Sequence, residues 1–452
     1  MKFSSNLLFI FATASISAQN LPQKLDQAVK TFLSADAAYA ANLSFYVSDD
    51  SGKMIYEYQG NKGLTTASTQ KIFTAAAALE SLGKDYRYET TVSISGRVVQ
   101  GVLKGDLILS SNGDPTLGSW RYEGYRPKDF QKKIIEAIKN QGVTRIDGNI
   151  FLDDSFFDFQ VVPGGWPWND MGNYYGPGVW GINWRENQFD LNLRGSHILG
   201  TNVELPNVVW VNDLKTAGSS DRSIIYTAPH SPVAHISGTL PNKAITVAGA
   251  MPNPPLTLGN EISNWLKESK IEFGGEIISA SAQRIANQKV TKYPDAKIIL
   301  TYPSPPMEKI VYWFLRKSVN MYGETLVKTF GKENKGEGSF SSGVEWLKDF
   351  WKAKGIKPQM INFADGSGLS PQNYASARAE VQALLWTKKQ PWFATFYEAL
   401  PTHGIGIKAK SGTMRNTKSY AGYHNGYVFS IIVNNYQGNA SESLLKILNN
   451  LK

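Results

Sequence analysis

The hydrophobic and polar positions of this chain predict an α/β protein whose sheet takes strands from both ends of the sequence. Near the start, apolar residues 43–47 and 54–58 flank the polar turn 49–52, which is typical of a β-hairpin. Near the end, residues 407–413 have the pattern of an edge strand and residues 427–433 that of a buried strand. With helices between them, these strands indicate one α/β domain built from both termini.

Several segments carry apolar residues three and four positions apart, the spacing that places them on one face of a helix. The helices predicted in this way lie within residues 21–42, 67–82, 128–140, 310–315, 322–330, 344–351 and 441–448. The second of them contains four consecutive alanines and is expected to end at Gly83.

The pattern changes between residues 87 and 289, where short strands alternate with turns. The tryptophan-rich stretch 164–184 suits either the wall of a pocket or closely packed loops. We interpret residues 87–289 as a β-rich insert of two subdomains. The insert would interrupt a catalytic domain formed by residues 19–86 and 290–452.

The first residues have the features of a secretory signal peptide. Met1-Lys2 is followed by the apolar run 7–12, which is too short to cross a bilayer, and by small residues near Ala18. We therefore predict a signal peptide at residues 1–18 and a periplasmic protein. The chain has no cysteine, so it has neither a lipoprotein anchor nor disulfides or thiolate chemistry, and no later apolar run predicts a transmembrane anchor.

Composition and charge exclude some classes of partner. A hydrophobic content of 42% is that of an ordinary globular protein, and the net charge of +9 is spread along the chain. No basic run with interleaved aromatic residues is present, so nucleic-acid binding is not expected. The positive charge does predict weak peripheral association with anionic envelope polymers or lipid head groups. His230, His235 and His403 have no matching cluster of carboxylates, so we predict no metal site and no cofactor.

The first candidate for chemistry is the pair Ser68 and Lys71, three residues apart at the start of a predicted helix. This spacing places both side chains on one helix face. An amine that is held neutral can take the serine proton, and the N–H groups of the helix terminus can stabilise an oxyanion. The spacing is weak evidence alone, because it recurs at Ser81/Lys84 and Ser443/Lys446.

Two further patterns follow in order, Ser318-x-Asn320 in a turn and Lys410-Ser411-Gly412-Thr413 on a strand. With these three motifs the chain resembles the serine penicillin-recognising enzymes, the superfamily of D,D-peptidases and β-lactamases. It is most similar to the D-alanyl-D-alanine carboxypeptidase/endopeptidase family of class C penicillin-binding proteins, which carry a large two-part insert between the first and second motifs. Segments 113–117, 153–157 and 365–370 also match that family.

The resemblance implies a transpeptidase-like α/β domain with a central antiparallel sheet flanked by helices. It also implies that Ser68 forms an acyl-enzyme and that Lys71 is the general base. Ser318 would relay the proton to the leaving amine, and Asn320 would orient Lys71 and the substrate amide. Lys410 would lower the pKa of Lys71 and dock the substrate's terminal carboxylate.

The same resemblance assigns substrate binding to Ser411, Gly412 and Thr413. The hydroxyls of Ser411 and Thr413 suit the carboxylate of a terminal D-Ala, and the backbone N–H groups of Ser68 and Thr413 would form the oxyanion hole. The family usually has Thr at the position of Ser411, but the hydroxyl is kept. Asp154, in the insert, would bind the amine of the substrate; the alternative is a residue that stabilises a turn.

We therefore expect a serine D,D-carboxypeptidase and D,D-endopeptidase that acts on peptidoglycan stem peptides and cross-links and is inhibited by β-lactams. A β-lactamase or esterase of the same superfamily is the first alternative, although we find no candidate glutamate for deacylation. A non-catalytic protein that binds the cell wall is the second alternative, and the complete motifs argue against it.

Overall fold

The computed structural model describes residues 20–404 and 406–452. The signal peptide predicted at residues 1–18 lies outside these residues. In the part of the chain that the structure describes, no helix combines the length and the apolar character needed to cross a bilayer.

Twelve α-helices lie within the described residues, and their order follows the chain. They are α1 (Leu21–Leu33), α2 (Lys71–Ser81), α3 (Pro127–Asn140), α4 (Trp168–Met171), α5 (Pro254–Glu268), α6 (Ala280–Ile285), α7 (Met307–Arg316), α8 (Asn320–Lys335), α9 (Phe340–Ala353), α10 (Ala377–Thr387), α11 (Phe393–Ala399) and α12 (Ser441–Leu448). The helices predicted from periodicity are all present.

The strands of the described residues form six sheets. They are β1 (Asn42–Asp49), β2 (Met54–Tyr58), β3 (Gly63–Leu64), β4 (Glu89–Ile94), β5 (Arg97–Val99), β6 (Val102–Lys104), β7 (Leu107–Ser111), β8 (Arg145–Ile146), β9 (Ile150–Asp153), β10 (Gln188–Arg194), β11 (His197–Thr201), β12 (Val209–Thr216), β13 (Ile224–Tyr226), β14 (Val233–Leu240), β15 (Ala244–Ala250), β16 (Glu272–Phe273), β17 (Ile277–Ser279), β18 (Lys297–Pro303), β19 (Ile361–Asn362), β20 (Tyr374–Ser376), β21 (Thr402–His403), β22 (Ile407–Met414), β23 (Thr417–His424) and β24 (Tyr427–Asn434).

The largest sheet joins the two ends of the chain in the order β2-β1-β24-β23-β22-β21, with every neighbouring pair antiparallel. Strand β1 pairs with β24 along its whole length, from Asn42 opposite Asn434 to Asp49 opposite Tyr427. The α/β fold with a central antiparallel sheet is therefore confirmed.

Helices cover both faces of this sheet. Successive side chains of a strand point to opposite faces, so neighbouring residues of β1 pack in different apolar clusters. Phe45 and Val47 of β1 belong to the apolar cluster that contains α1 and α12. Tyr46, between them, belongs to the larger cluster that contains α2 and α7–α10. Helix α2 is therefore buried among other helices, and the residues just before it lie at the sheet.

The region between α2 and α7 has its own core and four sheets. Its five-stranded sheet has the order β17-β9-β7-β4-β18, and residues of α3 and α5 pack in the same apolar cluster as that sheet. Strand β18 pairs with β4, so this sheet uses residues 297–303, which lie beyond the boundary that we expected at residue 289. The remaining strands of the region form one four-stranded and two three-stranded sheets.

Candidate active site

Ser68 lies in a 3₁₀ turn, Ala67–Gln70, and the α-helix begins only at Lys71. The start of the helix is later than the sequence predicts because Ala67 has a left-handed backbone, with φ 48°. The carbonyl of Thr66, which a continuous helix would use internally, instead accepts a hydrogen bond of 2.6 Å from the Ser419 hydroxyl. Ser68 therefore lies half-buried between the helix and the central sheet.

The side chain of Lys71 is fully buried, and its amine has three close oxygen neighbours. Nζ lies 2.9 Å from Ser68 Oγ, 2.6 Å from Asn320 Oδ1 and 2.7 Å from the carbonyl oxygen of Ser367. These contacts fix the amine next to the Ser68 hydroxyl.

Burial lowers the pKa of Lys71 to about 7, and the negative charges of Asp365 and Glu324 oppose that shift. An appreciable fraction of the amine is therefore neutral near neutral pH. A neutral amine 2.9 Å from a serine hydroxyl is positioned to accept its proton, which is the condition for a general base.

Asn320 is the first residue of α8, and its side-chain amide joins two parts of the molecule. Oδ1 accepts a hydrogen bond from Lys71 Nζ, while Nδ2 donates one of 2.8 Å to the carbonyl of Tyr175. Tyr175 belongs to the tryptophan-rich stretch of the insert. That stretch therefore contacts a motif residue of the site directly.

Ser318 lies two residues before α8 with a left-handed backbone, φ 58°. It is half-buried, and the hydrogen bonds of the described residues include none between its hydroxyl and Lys71 or Lys410. Its role as a bridge between the two lysines stays a prediction.

Lys410 lies on β22 and is 2% exposed. Its Nζ donates a hydrogen bond of 2.7 Å to the carbonyl of Ser411. Burial and the nearby charge of Lys71 hold the pKa of Lys410 well below its usual range. The charge of Lys71 therefore acts on Lys410, whereas the pKa of Lys71 itself is lowered by burial.

The strand that carries Lys410 packs directly against the Ser68 turn. A Cβ atom at Gly412 would lie 2.4 Å from the Thr66 carbonyl oxygen and 2.9 Å from the Ser68 nitrogen, distances that only glycine allows. Ser411 is half-buried, whereas Thr413 is exposed and its hydroxyl accepts a hydrogen bond of 2.7 Å from Lys418 Nζ. Sequence analysis did not single out Lys418, which adds a positive group beside Thr413.

The loop 365–370 supplies contacts that the sequence did not assign to the site. Its Ser367 carbonyl holds the Lys71 amine, and Gly368, with φ 85°, lies so close to the Ala67 carbonyl that a Cβ would be 2.0 Å from its oxygen. The buried Asp365 carboxylate fixes the loop by accepting hydrogen bonds of 2.7 Å from Gly368 N and 2.9 Å from Trp166 Nε1. The sequence identifies this segment by its match to the family, whereas a backbone carbonyl contact leaves no signal in residue types.

Glu324, one turn into α8, is a second group that the sequence did not single out. It is fully buried, and its Oε2 accepts a hydrogen bond of 3.0 Å from Gly366 N in the same loop. Burial and the neighbouring Asp365 raise the pKa of Glu324 to about 8. A carboxyl group that stays mostly protonated near pH 7 opposes the low pKa of Lys71 less than an ionised one would.

Asp154 occupies a different environment from the other predicted residues. It is 6% exposed, its Oδ1 accepts a hydrogen bond of 2.9 Å from Ser281 N, and burial raises its pKa. The hydrogen bonds of the described residues do not connect it to the three motifs. This geometry favours a structural role, and binding of a substrate amine by Asp154 stays a prediction.

Comparison with known proteins places this arrangement in a family. The model of the D-Ala-D-Ala carboxypeptidase 3 (S13) family matches residues 25–450. A D-alanyl-D-alanine carboxypeptidase of Actinomadura sp. is 25% identical, over 86% of this chain and 77% of the relative. The D-alanyl-D-alanine carboxypeptidase DacB of Haemophilus influenzae is 24% identical, over 91% of this chain and 85% of the relative.

The fold is similar to that of penicillin binding protein 4 (dacB) from Haemophilus influenzae, with a TM-score of 0.78 and 22% identity. That match covers 94% of this chain and 98% of the other. A second structure of the same protein, complexed with a β-lactam, gives a TM-score of 0.72 at 20% identity, over 95% of this chain and 98% of the other. The chain therefore belongs to the D-Ala-D-Ala carboxypeptidase 3 (S13) family and is a serine-type D-Ala-D-Ala carboxypeptidase.

Proposed function

We propose that Ser68 is the nucleophile of this carboxypeptidase and that Lys71 is its general base. The observation that supports this assignment most directly is the distance of 2.9 Å between Lys71 Nζ and Ser68 Oγ, together with the complete burial of the lysine. Burial favours the neutral amine, and the neutral amine is the form that accepts a proton.

The proposed reaction combines this pair with the roles that the family resemblance implies for Ser318 and Thr413. Ser68 Oγ attacks the carbonyl carbon of the penultimate D-Ala as its proton passes to Lys71, and the backbone N–H groups of Ser68 and Thr413 stabilise the oxyanion. The proton is delivered to the amine of the departing D-Ala, with Ser318 as the relay. Water then hydrolyses the ester by the same route in reverse, and Ser68 is restored.

Recognition of the terminal carboxylate is assigned to the positive side of the site. Lys410 lies next to the Ser68 turn, and Lys418 donates to the exposed Thr413 hydroxyl. A carboxylate at Ser411 and Thr413 would form charge-assisted hydrogen bonds with these groups.

We extend the proposal to peptide cross-links as substrates and to β-lactams as inhibitors. A cross-link joins D-Ala to an amine, so the bond that the acyl-enzyme chemistry cleaves is of the same kind. A β-lactam ring presents a strained amide to the same nucleophile. The predicted signal peptide supports action in the periplasm, where peptidoglycan is found.

The test is mass spectrometry of purified cross-linked muropeptides after incubation with the protein, with Ser68→Ala as the blank. We expect loss of terminal D-Ala and release of monomers, and neither product with Ser68→Ala. Fluorescent penicillin then separates the alternatives. Stable labelling of Ser68 fits the proposal, rapid turnover of the label would indicate a β-lactamase, and absence of both labelling and hydrolysis would indicate a non-catalytic protein.

A further inference from the structure

Four aromatic rings lie at the surface of the insert, and we call them the aromatic strip: Trp168 and Tyr174, which are exposed, and Tyr226 and His235, which are half-buried. Trp168 is 51% exposed and Tyr174 57% exposed, which is unusual for side chains of this size. The Trp168 and Tyr226 rings are 6.0 Å apart, and the Tyr226 ring stacks on His235 at 5.5 Å with an interplanar angle of 18°. Trp168, Tyr226 and His235 thus form one row of neighbouring rings, of which Trp168 is the most exposed.

The aromatic strip is continuous with the catalytic cleft. The Tyr174 ring contacts the Tyr175 ring at 5.3 Å, and the Tyr175 carbonyl accepts the hydrogen bond from Asn320 described above. The Tyr175 hydroxyl in turn donates a hydrogen bond of 3.1 Å to Asp170 Oδ1, on the short helix that begins with Trp168. Tyr175 therefore contacts Asn320 of the site on one side and residues next to Trp168 and Tyr174 on the other.

Polar groups accompany the rings along the aromatic strip. The His235 imidazole lies 2.9 Å from the Asp213 carboxylate, which is 68% exposed. Asn169, next to Trp168, is also exposed. Aromatic rings lie here beside exposed hydrogen-bonding groups, unlike an apolar patch that binds only through area.

We propose that the aromatic strip binds the glycan strand that carries the stem peptide, an oligosaccharide of β-linked N-acetylated hexosamines. The proposal rests on the proposed function, because it takes peptidoglycan as the substrate. Pyranose rings have apolar C–H faces that pack on aromatic rings, and their hydroxyl and acetamido groups form hydrogen bonds at the edges. A strip that combines rings with polar groups, and that begins at the cleft, matches such a ligand.

A protein partner is the competing occupant. Strand β12 adds the exposed Val209 and Val211, which lie opposite Val233 and His235 of β14. These valines would serve a protein interface, but they lie on the far side of Tyr226 from Trp168 and have no contact with the cleft residues. The continuity with Asn320 favours the substrate's own glycan.

The experiment compares two substrates that share one pentapeptide, one free and the other attached to a tetrasaccharide of peptidoglycan. The variant is Trp168→Ala/Tyr226→Ala, and the control is Tyr39→Ala, which removes a ring that is 96% exposed at a site far along the chain. We expect the ratio of kcat/KM for the glycan-linked substrate to that for the free peptide to fall about tenfold in the double variant, through KM, and to stay constant in the control.

Titration with N-acetylchitotetraose, monitored by isothermal titration calorimetry so that removal of Trp168 does not remove the reporter, tests the aromatic strip without catalysis. A saturable change that the double variant loses is expected. An unchanged ratio of kcat/KM, or no saturable change, overturns the proposal, and an unchanged ratio is also the result expected of a protein-binding strip. If penicillin fails to acylate Ser68 and neither substrate is cleaved, the proposed function fails, and the titration alone decides the glycan assignment.

Discussion

The amine of Lys71 and the side-chain oxygen of Asn320 lie 2.6 Å apart, although 249 positions of the chain separate the two residues. The whole insert lies between them in sequence. The other atom of the same amide holds the Tyr175 carbonyl of that insert. One amide group therefore couples the position of the general base to the position of the insert, and a displaced insert would disturb the base.

Replacement of Lys410 by Ala should change both the rate of the reaction and its dependence on pH. The reaction needs neutral Lys71, so acylation should rise with pH through about 7 in the unaltered protein. Loss of the neighbouring positive charge should raise the pKa of Lys71. The rising limb of the pH–rate profile should therefore move to higher pH. We expect acylation by penicillin at neutral pH to fall about a hundredfold, measured by stopped-flow fluorescence.

The control for this variant is Lys408→Ala, which removes a positive charge from the same strand two residues away. Its Nζ donates to the Leu400 carbonyl, outside the site. A pH profile that is identical in Lys410→Ala and the unaltered protein would remove Lys410 from the proposed mechanism.

The variant Gly412→Ala should fold but should lose most of its acylation rate. The Cβ of Gly412→Ala would lie 2.4 Å from the Thr66 carbonyl oxygen, so β22 must move away from the Ser68 turn. A displacement of this kind costs about a hundredfold in acylation rate when the reacting groups are aligned this closely. Gly274→Ala is the control, because a Cβ there meets nothing within 4 Å. Equal acylation rates in the two variants would contradict the packing described for β22.

The variant Glu324→Gln should make stability less dependent on pH. Because the pKa of Glu324 is raised from its ordinary value of 4.5 to about 8, the folded protein holds a proton that the unfolded chain releases. Its contribution to the free energy of unfolding is therefore full below pH 4.5 and is lost as the pH rises through 8, on the order of 5 kcal/mol. Thermal midpoints at pH 5 and pH 8 should differ less in Glu324→Gln than in the unaltered protein.

Glu272→Gln is the matched control for this measurement, since the Glu272 side chain is 78% exposed. It should leave the pH dependence of the midpoint unchanged. The same dependence in Glu324→Gln as in the unaltered protein would show that Glu324 is ionised in the folded state.

The variant Asp154→Asn distinguishes the two roles considered for Asp154. The amide keeps an oxygen that can accept the hydrogen bond from Ser281 N but removes the charge. If the carboxylate bound the amine of the substrate, hydrolysis of amine-bearing peptides would slow about thirtyfold relative to penicillin acylation. Because Asp154 is buried, we expect the two rates to keep their ratio. Asp153→Asn, at the neighbouring residue, is the control.

The sequence predicted the parts of this site that depend on short local patterns. The three motifs each combine a residue pattern with a predicted helix, turn or strand, and the periodicity placed α3 and α12 within a residue of their observed bounds. The features of the site that the sequence could not predict depend on backbone conformation and backbone contacts. The late start of α2 follows from the left-handed Ala67, and the third contact of Lys71 is a carbonyl of Ser367, which any residue type would offer.

The burial of individual acidic residues could not be predicted from the sequence either. Asp154, in a polar turn after a strand, has the sequence context of an exposed carboxylate, yet α6 supplies its partner from 127 positions away. Glu324 on α8 carries no sequence signal of burial, because a lone glutamate in a helix usually faces solvent. Its burial follows from the packing of loop 365–370 against that helix.

The pairing of β1 with β24 has a consequence for the order in which a newly made chain becomes active. Strand β24 ends at Asn434, and Lys410 enters the sheet only through β23 and β24. A growing chain that already contains Ser68 and Lys71 still lacks the strands that support them. Contacts between such distant parts of a chain form late in folding. Ser68 and Lys71 therefore lack their supporting sheet until residue 434 has been synthesised.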